Sequence, residues 1–233
     1  MNREELKNSL VSRGFSVTEL QLDQLFDLMK TTLETNEKFN LTAIKDESTF
    51  LEKMIFDSAL ALVENDFSNK EVLDFGTGAG FPGMVMYILN PEIKLTLLDS
   101  TQKKINYLAA YCLEHNYNIK CVCARGEDFS RKNIEKYDVV TARAVSELSI
   151  LMEITMPMLK VGGHLCALKS SGIEDEILRA NGAFHKLDCK IEKIYEDNLP
   201  ESQDFRAVVM VKKIKSTNKK YPREYKLIKD KPL

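Results

Sequence analysis

The stretch Val72-Leu73-Asp74-Phe75-Gly76-Thr77-Gly78-Ala79-Gly80-Phe81-Pro82-Gly83 decides the fold of this chain. It follows Glu71 and opens with an apolar run to Phe75 that has the length and composition of a buried strand. Four glycines follow, and Pro82 suits a first helical position because its missing N–H would be unpaired there anyway. A strand, a glycine turn and a helix start are typical of a nucleotide-cofactor site, since glycines let bare backbone approach the ligand and a helix N-terminus offers free N–H donors.

Two cofactors are compatible with this stretch. Gly78 to Gly83 matches G-x-G-x-x-G, and Asp99 follows at about the ~20-residue spacing of a ribose-binding acid in NAD sites. Asp74 to Gly80 reads D-x-G-x-G-x-G, which resembles the first motif of S-adenosylmethionine (SAM) methyltransferases. An acid at the end of the first strand can meet the methionine ammonium, directly or through water, and NAD has no such group. Asp74 therefore favours SAM.

Length and composition indicate one main domain. The chain has 233 residues, of which 44% are hydrophobic, enough to bury one sizeable core. No apolar run approaches the ~18 residues of a membrane span, and the N-terminus lacks the apolar segment of a secretory signal. The five cysteines are odd in number and the three histidines are scattered. We therefore expect a cytoplasmic protein with free thiols, no bound metal and no membrane partner. We also expect it to be a monomer.

The net charge of −2 is unevenly distributed. From Lys212 to Leu233 there are nine Lys and Arg against two acids, so this stretch carries +7 and the remaining 211 residues carry −9. A basic tail on an acidic body points to a polyanion partner, with a solvated terminus as the alternative. We expect Lys219, Lys220 and Arg223 to contact RNA phosphates.

Residues 1–69 predict a helical extension. Ser16-Val17-Thr18-Glu19 fits a capping box, and apolar residues at helical spacing follow it. A further helix is expected from about Glu47 to Glu64, with apolar residues on two sides.

Residues 70–213 predict an α/β domain. Strands and helices alternate, which is typical of a mainly parallel, Rossmann-like sheet with helices on both faces. One helix is expected from Thr101 to Asn116, with Ala109 and Leu113 among its inward residues, and the fifth strand from His164 to Leu168. The last two strands have no helix between them and must pair antiparallel. Residues 214–233 form the basic tail.

Residues at the ends of the predicted strands favour SAM further. Strand C-terminal ends line the ligand crevice of an open parallel sheet, so Asp99 is expected to bind ribose hydroxyls, with a helix cap as its alternative role. Arg125 to Phe129 follows the third strand, where an adenine ring would lie, although an ordinary polar loop fits equally well. Leu159 to Leu165 resembles the turn before the fifth strand of methyltransferases, and we know of no NAD-domain counterpart.

Arg143 follows the fourth strand, where methyltransferases face their substrate. Enzymes that methylate exocyclic base amines usually have an Asn/Asp-Pro-Pro-aromatic run here, and cytosine C5 enzymes have Pro-Cys; Thr141 to Val145 contains neither. An acceptor with an in-plane lone pair, such as guanine N7, needs no deprotonation and no covalent intermediate. Catalysis then reduces to in-line positioning. Arg143 could hold guanine O6 or a phosphate, or pair with a structural carboxylate.

The combined motifs resemble the RsmG (GidB) family of bacterial 16S rRNA guanine-N7 methyltransferases. The resemblance covers about Phe39 to Leu233 and is carried by these segments: Asn40-Leu41-Thr42, Phe56-Asp57-Ser58, Val72 to Gly83, Leu97-Leu98-Asp99-Ser100, Val139 to Val145, Tyr221-Pro222-Arg223 and Lys231-Pro232-Leu233. Two departures stand out. Met54 occupies a position where the family generally has His, and the segment from Glu224 to Asp230 lacks the usual glycine.

The resemblance implies a class I SAM-dependent methyltransferase acting on 16S rRNA or the small ribosomal subunit. It implies SAM contacts at Gly76, Phe81, Asp99, Ser100, Thr101, Gly126, Glu127 and Arg143. The motifs themselves also predict SAM-binding roles for Asp74, Gly78 and Gly80. Arg143 is predicted to be the catalytic residue, which orders the methionine end of SAM or the guanine. The alternatives are a methyltransferase of the same fold acting on a small molecule or protein, and a NAD-binding regulatory module.

Overall fold

A computed structural model describes all 233 residues. The strands are β1 (Glu71–Phe75), β2 (Lys94–Asp99), β3 (Lys120–Cys123), β4 (Tyr137–Arg143), β5 (Leu159–Lys169), β6 (Cys189–Asn198) and β7 (Phe205–Lys213). The helices are α1 (Arg3–Ser12), α2 (Glu19–Asn36), α3 (Glu47–Phe50), α4 (Asp57–Ala59), α5 (Gly83–Leu89), α6 (Gln102–Glu114), α7 (Gly126–Lys132), α8 (Leu148–Thr155), α9 (Ile173–Arg179), α10 (Asn181–Lys186) and α11 (Tyr225–Asp230). A π turn (Leu51–Phe56) joins α3 to α4, and 3-10 turns cover Leu60–Leu62 and Met156–Met158.

The seven strands form one sheet in the order β3-β2-β1-β4-β5-β7-β6. The first five run parallel, and β7 lies antiparallel between β5 and β6. This confirms the predicted mainly parallel sheet with a terminal antiparallel pair. The C-terminal ends of β1, β2, β4 and β5 therefore meet at one edge, which is where ligands bind in such sheets.

The fifth strand is longer than predicted. Leu159 to Gly163, expected as a turn before the strand, already belongs to β5, and Leu159 pairs with Tyr137. The register then shifts, so that His164 pairs with Val139. The glycine pair is accommodated as an irregularity inside the ladder, since Gly162 has φ +84°.

The residue that caps α2 is not the predicted one. Thr18, not Ser16, caps α2, because its hydroxyl accepts from Gln21 N and the Gln21 side chain accepts from Thr18 N. An additional capping box, formed by Asn2 and Glu5, opens α1. The predicted helix from Glu47 to Glu64 is continuous in path but contains the π turn.

The inward face of α6 differs from the prediction. Leu113 is 81% exposed and Ala109 is also exposed, whereas Tyr107 and Tyr111 are buried. The extension determines this rotation, because Tyr107 hydrogen-bonds to Thr32 (2.8 Å) and Tyr111 donates to Asp27 (2.8 Å), both on α2.

The extension and the sheet share one apolar core. A single cluster of 39 buried residues includes Leu6, Leu10, Leu25 and Met29 from α1 and α2 together with Met84 and Leu108 from the domain. A second cluster of 26 covers the other face of the sheet and includes Tyr221 and Ile228 of the tail. The predicted boundary at residue 69 between the extension and the α/β domain stays an interpretation, because one apolar core includes residues from both sides of it. No helix has the length and apolarity to cross a membrane.

Candidate functional site

The glycine turn after β1 is held by hydrogen bonds to the side chain of Asp74. This side chain is fully buried, and its Oδ2 accepts from the Thr77 hydroxyl (2.5 Å) and from Gly83 N (2.9 Å). Its Oδ1 is buried without a partner, and burial raises the pKa of the carboxyl to about 6. Gly83 begins α5, so the first amide of that helix, expected to be free, is taken by Asp74. A Cβ at Gly83 would lie 2.7 Å from Asp74 Oδ2, so only glycine fits there.

Asp99 holds the same turn from the end of β2. Its Oδ2 accepts from Gly78 N (3.0 Å) and its Oδ1 from Thr101 N (2.8 Å). The carboxylate thus joins the glycine turn to the start of α6, and its remaining lone pairs face a cavity. The capping alternative is seen as well, since Thr101 precedes α6 and its own side chain makes no cap bond.

A cavity of approximately 240 Å³ lies above this turn. Of the predicted cofactor residues, Gly76, Asp99, Ser100, Gly126 and Glu127 line it. Arg125, from the segment expected near adenine, lines it as well. The sequence did not predict the other lining residues, which are Phe75, Leu98, Ala124, Ala144, Val145, Ser146, Ile150, Ile154 and Tyr225. An apolar slot with carboxylates at its rim suits a heterocyclic ring joined to a ribose.

Close approaches around the slot explain two of its glycines. A Cβ at Gly126 would lie 2.5 Å from the Phe75 ring, and one at Gly76 would lie 2.7 Å from Val145 Cγ2. Ala144 has φ +53°, a conformation unfavourable for a non-glycine residue, and this turn brings Val145 against Gly76.

Five predicted cofactor residues do not line this cavity: Asp74, Gly78, Gly80, Phe81 and Thr101. Phe81 is 4% exposed and packs edge-on against Phe50, with ring centroids 5.5 Å apart. Gly80 has φ +102°, and a Cβ there would meet Met84 and Leu108. These residues shape the turn.

A second cavity, approximately 590 Å³, adjoins the first through the shared segment Ala144-Val145-Ser146. Four cations line it, namely Lys53, Arg143, Lys169 and Arg206, together with Asp57, Glu147 and Glu176. Ser146 Oγ lies between the two cavities and is buried without a hydrogen-bond partner. Sequence reasoning found only Arg143 here, because the other residues come from the π turn, β5, α9 and β7.

Arg143 lies at the centre of a buried ion network. Its Nη1 donates to Lys53 O (3.0 Å) and Asp57 Oδ2 (3.3 Å), and its Nη2 contacts Met54 Sδ (3.3 Å). Arg206 Nε contacts the other oxygen of Asp57 at 3.2 Å. Burial lowers the pKa of Arg143, and Asp57 and Asp74 oppose this shift. The structural pairing considered for Arg143 is therefore present, and the same residue lines the second cavity.

The tail is folded against the domain. Arg223 Nε and Nη2 donate to both carboxylate oxygens of Glu153, at 2.7 and 2.6 Å, and Glu153 is fully buried. Arg223 thus anchors the tail through its pairing with Glu153, and its contact with RNA phosphates stays a prediction. Lys219 and Lys220 are exposed.

The residues present fit an adenosyl cofactor. Eight of the fifteen residues that line the slot are apolar, Asp99 and Glu127 line it with them, and the left-handed glycines Gly76 and Gly78 leave the bare backbone of the turn close to it. Residues 21–203 match the family model GidB, described as rRNA small subunit methyltransferase G.

Full-length relatives carry the same description. Ribosomal RNA small subunit methyltransferase G of Bacillus cytotoxicus is 38% identical over 96% of this chain and 95% of its own. That of Streptococcus pneumoniae (strain ATCC 700669 / Spain 23F-1) is 38% identical over all of both chains.

Solved structures share the fold at low identity. M. jannaschii TYW2 in complex with AdoMet superposes with a TM-score of 0.58 at 15% identity, covering 75% of this chain and 81% of that one. A SAM dependent methyltransferase from Aquifex aeolicus gives 0.52 at 15% identity, covering 77% and 97%. On the family match and the full-length relatives, this chain belongs to the GidB family.

Proposed function

We propose that this protein transfers the methyl group of SAM to N7 of a guanine in 16S rRNA. The observation that carries the proposal is the pair of adjoining cavities at the C-terminal ends of the parallel strands, one apolar with a carboxylate rim and one lined by cations. Family membership supports SAM as the cofactor and small-subunit rRNA as the substrate. SAM supplies an electrophilic methyl group on its sulfonium.

The residues at the cofactor end bind and orient. Asp99 and Glu127 offer carboxylate oxygens to ribose hydroxyls, and Phe75, Leu98 and Ile154 provide the apolar slot for adenine. Asp74 contributes indirectly, by fixing the glycine turn through Thr77 and Gly83.

Each carboxylate that lines the larger cavity, which we propose receives the acceptor base, is paired with a cation, and Glu147 is paired with the Arg179 guanidinium at 3.4 Å. Asp57 is held between Arg143 and Arg206, and Glu176 accepts from Lys169 Nζ (2.6 Å) and from Leu148 N. The oxygens of these carboxylates are occupied by hydrogen-bond donors of the protein itself, so they are not placed to take a proton from a bound acceptor. An amine acceptor would require proton removal, whereas guanine N7 presents a lone pair. The cavity therefore supports N7 over an exocyclic amine.

The cations that line this cavity are proposed to bind the guanine or its phosphate. Arg143, Lys53 and Arg206 present positive charge that can hold guanine O6 or an adjacent phosphate. Catalysis then rests on holding the acceptor nitrogen in line with the methyl group, an effect worth up to ~7–11 kcal/mol in the best-oriented systems.

The test is the chemistry of the product. Isolated 16S rRNA and small subunits from cells lacking the protein would be incubated separately with the purified protein and labelled SAM. We expect label in RNA from at least one of them, and strand cleavage at the labelled base after borohydride and aniline, because 7-methylguanine carries a fixed positive charge that makes its ring reducible. Full labelling with an intact strand would contradict the N7 assignment, and labelling of neither substrate would contradict the rRNA assignment.

A further inference from the structure

Tyr225, the first residue of α11 in the tail, lines the smaller cavity. It lies there with Asp99, Ser100, Gly126 and Glu127, although it is about 100 residues further along the chain. Its ring packs beneath the Arg125 guanidinium, whose carbon is 5.1 Å from the ring centroid. Arg125 Nε in turn donates to Glu127 (3.3 Å). The tail thus contacts Arg125, which in turn holds a carboxylate that lines the cavity.

Buried contacts on the preceding residues hold Tyr225 in place. Tyr221 is 6% exposed, and Arg223 binds the buried carboxylate of Glu153 through its backbone N (3.0 Å) and its guanidinium. Arg131 of α7 donates to Glu224 (2.7 Å). Beyond Tyr225, Ile228 is fully buried. An exposed aromatic ring fixed on both sides by buried anchors keeps a defined position at little entropic cost on ligand binding.

We propose that the tail forms one wall of the cofactor pocket and that Tyr225 is a cofactor-positioning residue. Its ring provides an apolar face at the mouth of the slot, and its packing on Arg125 fixes Glu127 toward the rim. This inference rests on the proposed function for the identity of the ligand, an adenosyl group. It extends that function by giving the basic tail a part in cofactor binding, beyond any contact with RNA.

The test compares S-adenosylhomocysteine affinity, by calorimetry, in three variants. We expect Tyr225→Ala to weaken binding roughly 2- to 13-fold, the range for losing an aromatic contact, and Tyr225→Phe to retain the wild-type affinity. Leu227→Ala is the matched control, because Leu227 is 43% exposed on the same helix and does not line the cavity. Melting temperatures without ligand verify that all three variants fold. Equal affinities of wild type and Tyr225→Ala would overturn the inference.

A second measurement uses the wild-type protein alone. Hydrogen exchange at the amides of residues 226–231 is expected to slow when S-adenosylhomocysteine is added, since the ligand would pack against α11. Unchanged exchange in a protein that binds the ligand would overturn the inference. Failure of the wild type to bind the ligand would instead overturn the proposed function, so the two failures are distinguishable.

Discussion

Asp74 shows how one residue combines a structural role with an electrostatic cost. Its Oδ2 fixes the glycine turn through Thr77 and Gly83, but its Oδ1 has no partner, and burial is the largest cause of its raised pKa, about 6. The ordinary value is 3.8. Between these values the folded state holds a proton that the unfolded state has lost, so this group's contribution to stability falls as the pH rises from about 4 to about 6.

Replacement of Asp74 by Asn should therefore change stability in a pH-dependent way. Asn keeps an oxygen for Thr77 and Gly83 but never ionises. Relative to wild type, the free energy of unfolding of Asp74→Asn should rise by roughly 2–3 kcal/mol between pH 4 and pH 7, from 1.36 kcal/mol per pKa unit. Urea unfolding at several pH values measures the difference.

Asp66→Asn provides a control of opposite sign. Hydrogen bonds from Ser68 lower the pKa of the exposed Asp66, so the wild type gains stability from this group as the pH rises and the variant does not. The loss of stability of Asp66→Asn relative to wild type should thus develop as the pH rises toward 3.8, so this difference should stay nearly constant from pH 4 to pH 7, whereas that of Asp74→Asn changes. A pH-independent difference for Asp74→Asn would contradict the buried, partly unsatisfied environment of Asp74.

At the scale of elements, the tail is the segment whose structure departs most from what its charge pattern suggests. A stretch carrying +7 from Lys212 onward could be a solvated terminus, yet it contains a helix and two buried anchors, Tyr221 and Ile228. Lys213 is itself buried, and its ammonium donates to Met156 O (3.0 Å) and Leu159 O (2.7 Å). Part of the positive charge therefore serves the fold.

The exposed lysines of the tail, Lys219 and Lys220, are predicted to contact RNA phosphates. The double variant Lys219→Ala/Lys220→Ala should weaken binding to 16S rRNA and reduce the slope of log affinity against log salt by roughly 1.4–1.8, at ~0.7–0.9 per phosphate contact. Affinity for S-adenosylhomocysteine should not change, because neither lysine lines the cofactor cavity.

A matched control removes the same charge elsewhere. Lys186 and Lys190 are exposed near the β6 edge, at the end of the sheet opposite β3. Their double Ala variant should keep the wild-type slope. Identical slopes for both double variants and wild type would mean that the tail lysines do not contact RNA.

At the scale of the molecule, Asp57 joins three parts of the chain. It follows the π turn, and its carboxylate bridges Arg143 at the end of β4 and Arg206 of β7, at 3.3 and 3.2 Å. Both arginines and Asp57 are largely buried, so removing the carboxylate leaves two cations facing each other in a low-dielectric site.

Asp57→Ala should lower the free energy of unfolding by about 3–5 kcal/mol, the range for breaking a buried ion pair. Asp204→Ala is the comparison, because Asp204 lies near Arg206 and Lys53 but is 42% exposed, so solvent screens its ion pairs and its loss should be much smaller. Urea unfolding of both variants measures the two effects. Equal losses would show that the bridge does not link the extension to the sheet energetically.

The sequence by itself determined the sheet and the location of the site. The parallel strands, the glycine turn and the terminal antiparallel pair follow from apolar runs, glycines and the missing crossover helix, all of which are local patterns. Gly76, Asp99, Gly126 and Glu127 could be placed at the cavity for the same reason, because the ends of parallel strands necessarily meet at one edge.

Only the tertiary structure decided which side chains meet across long separations. Leu113 is exposed because α2 binds the tyrosines of α6, a contact no helical period predicts. Arg223 pairs with Glu153 and Tyr225 reaches Arg125 because the tail folds back over α7 and α8. A charge count records that a lysine or arginine is present; which carboxylate holds it depends on burial and geometry, which arise only when the whole chain packs.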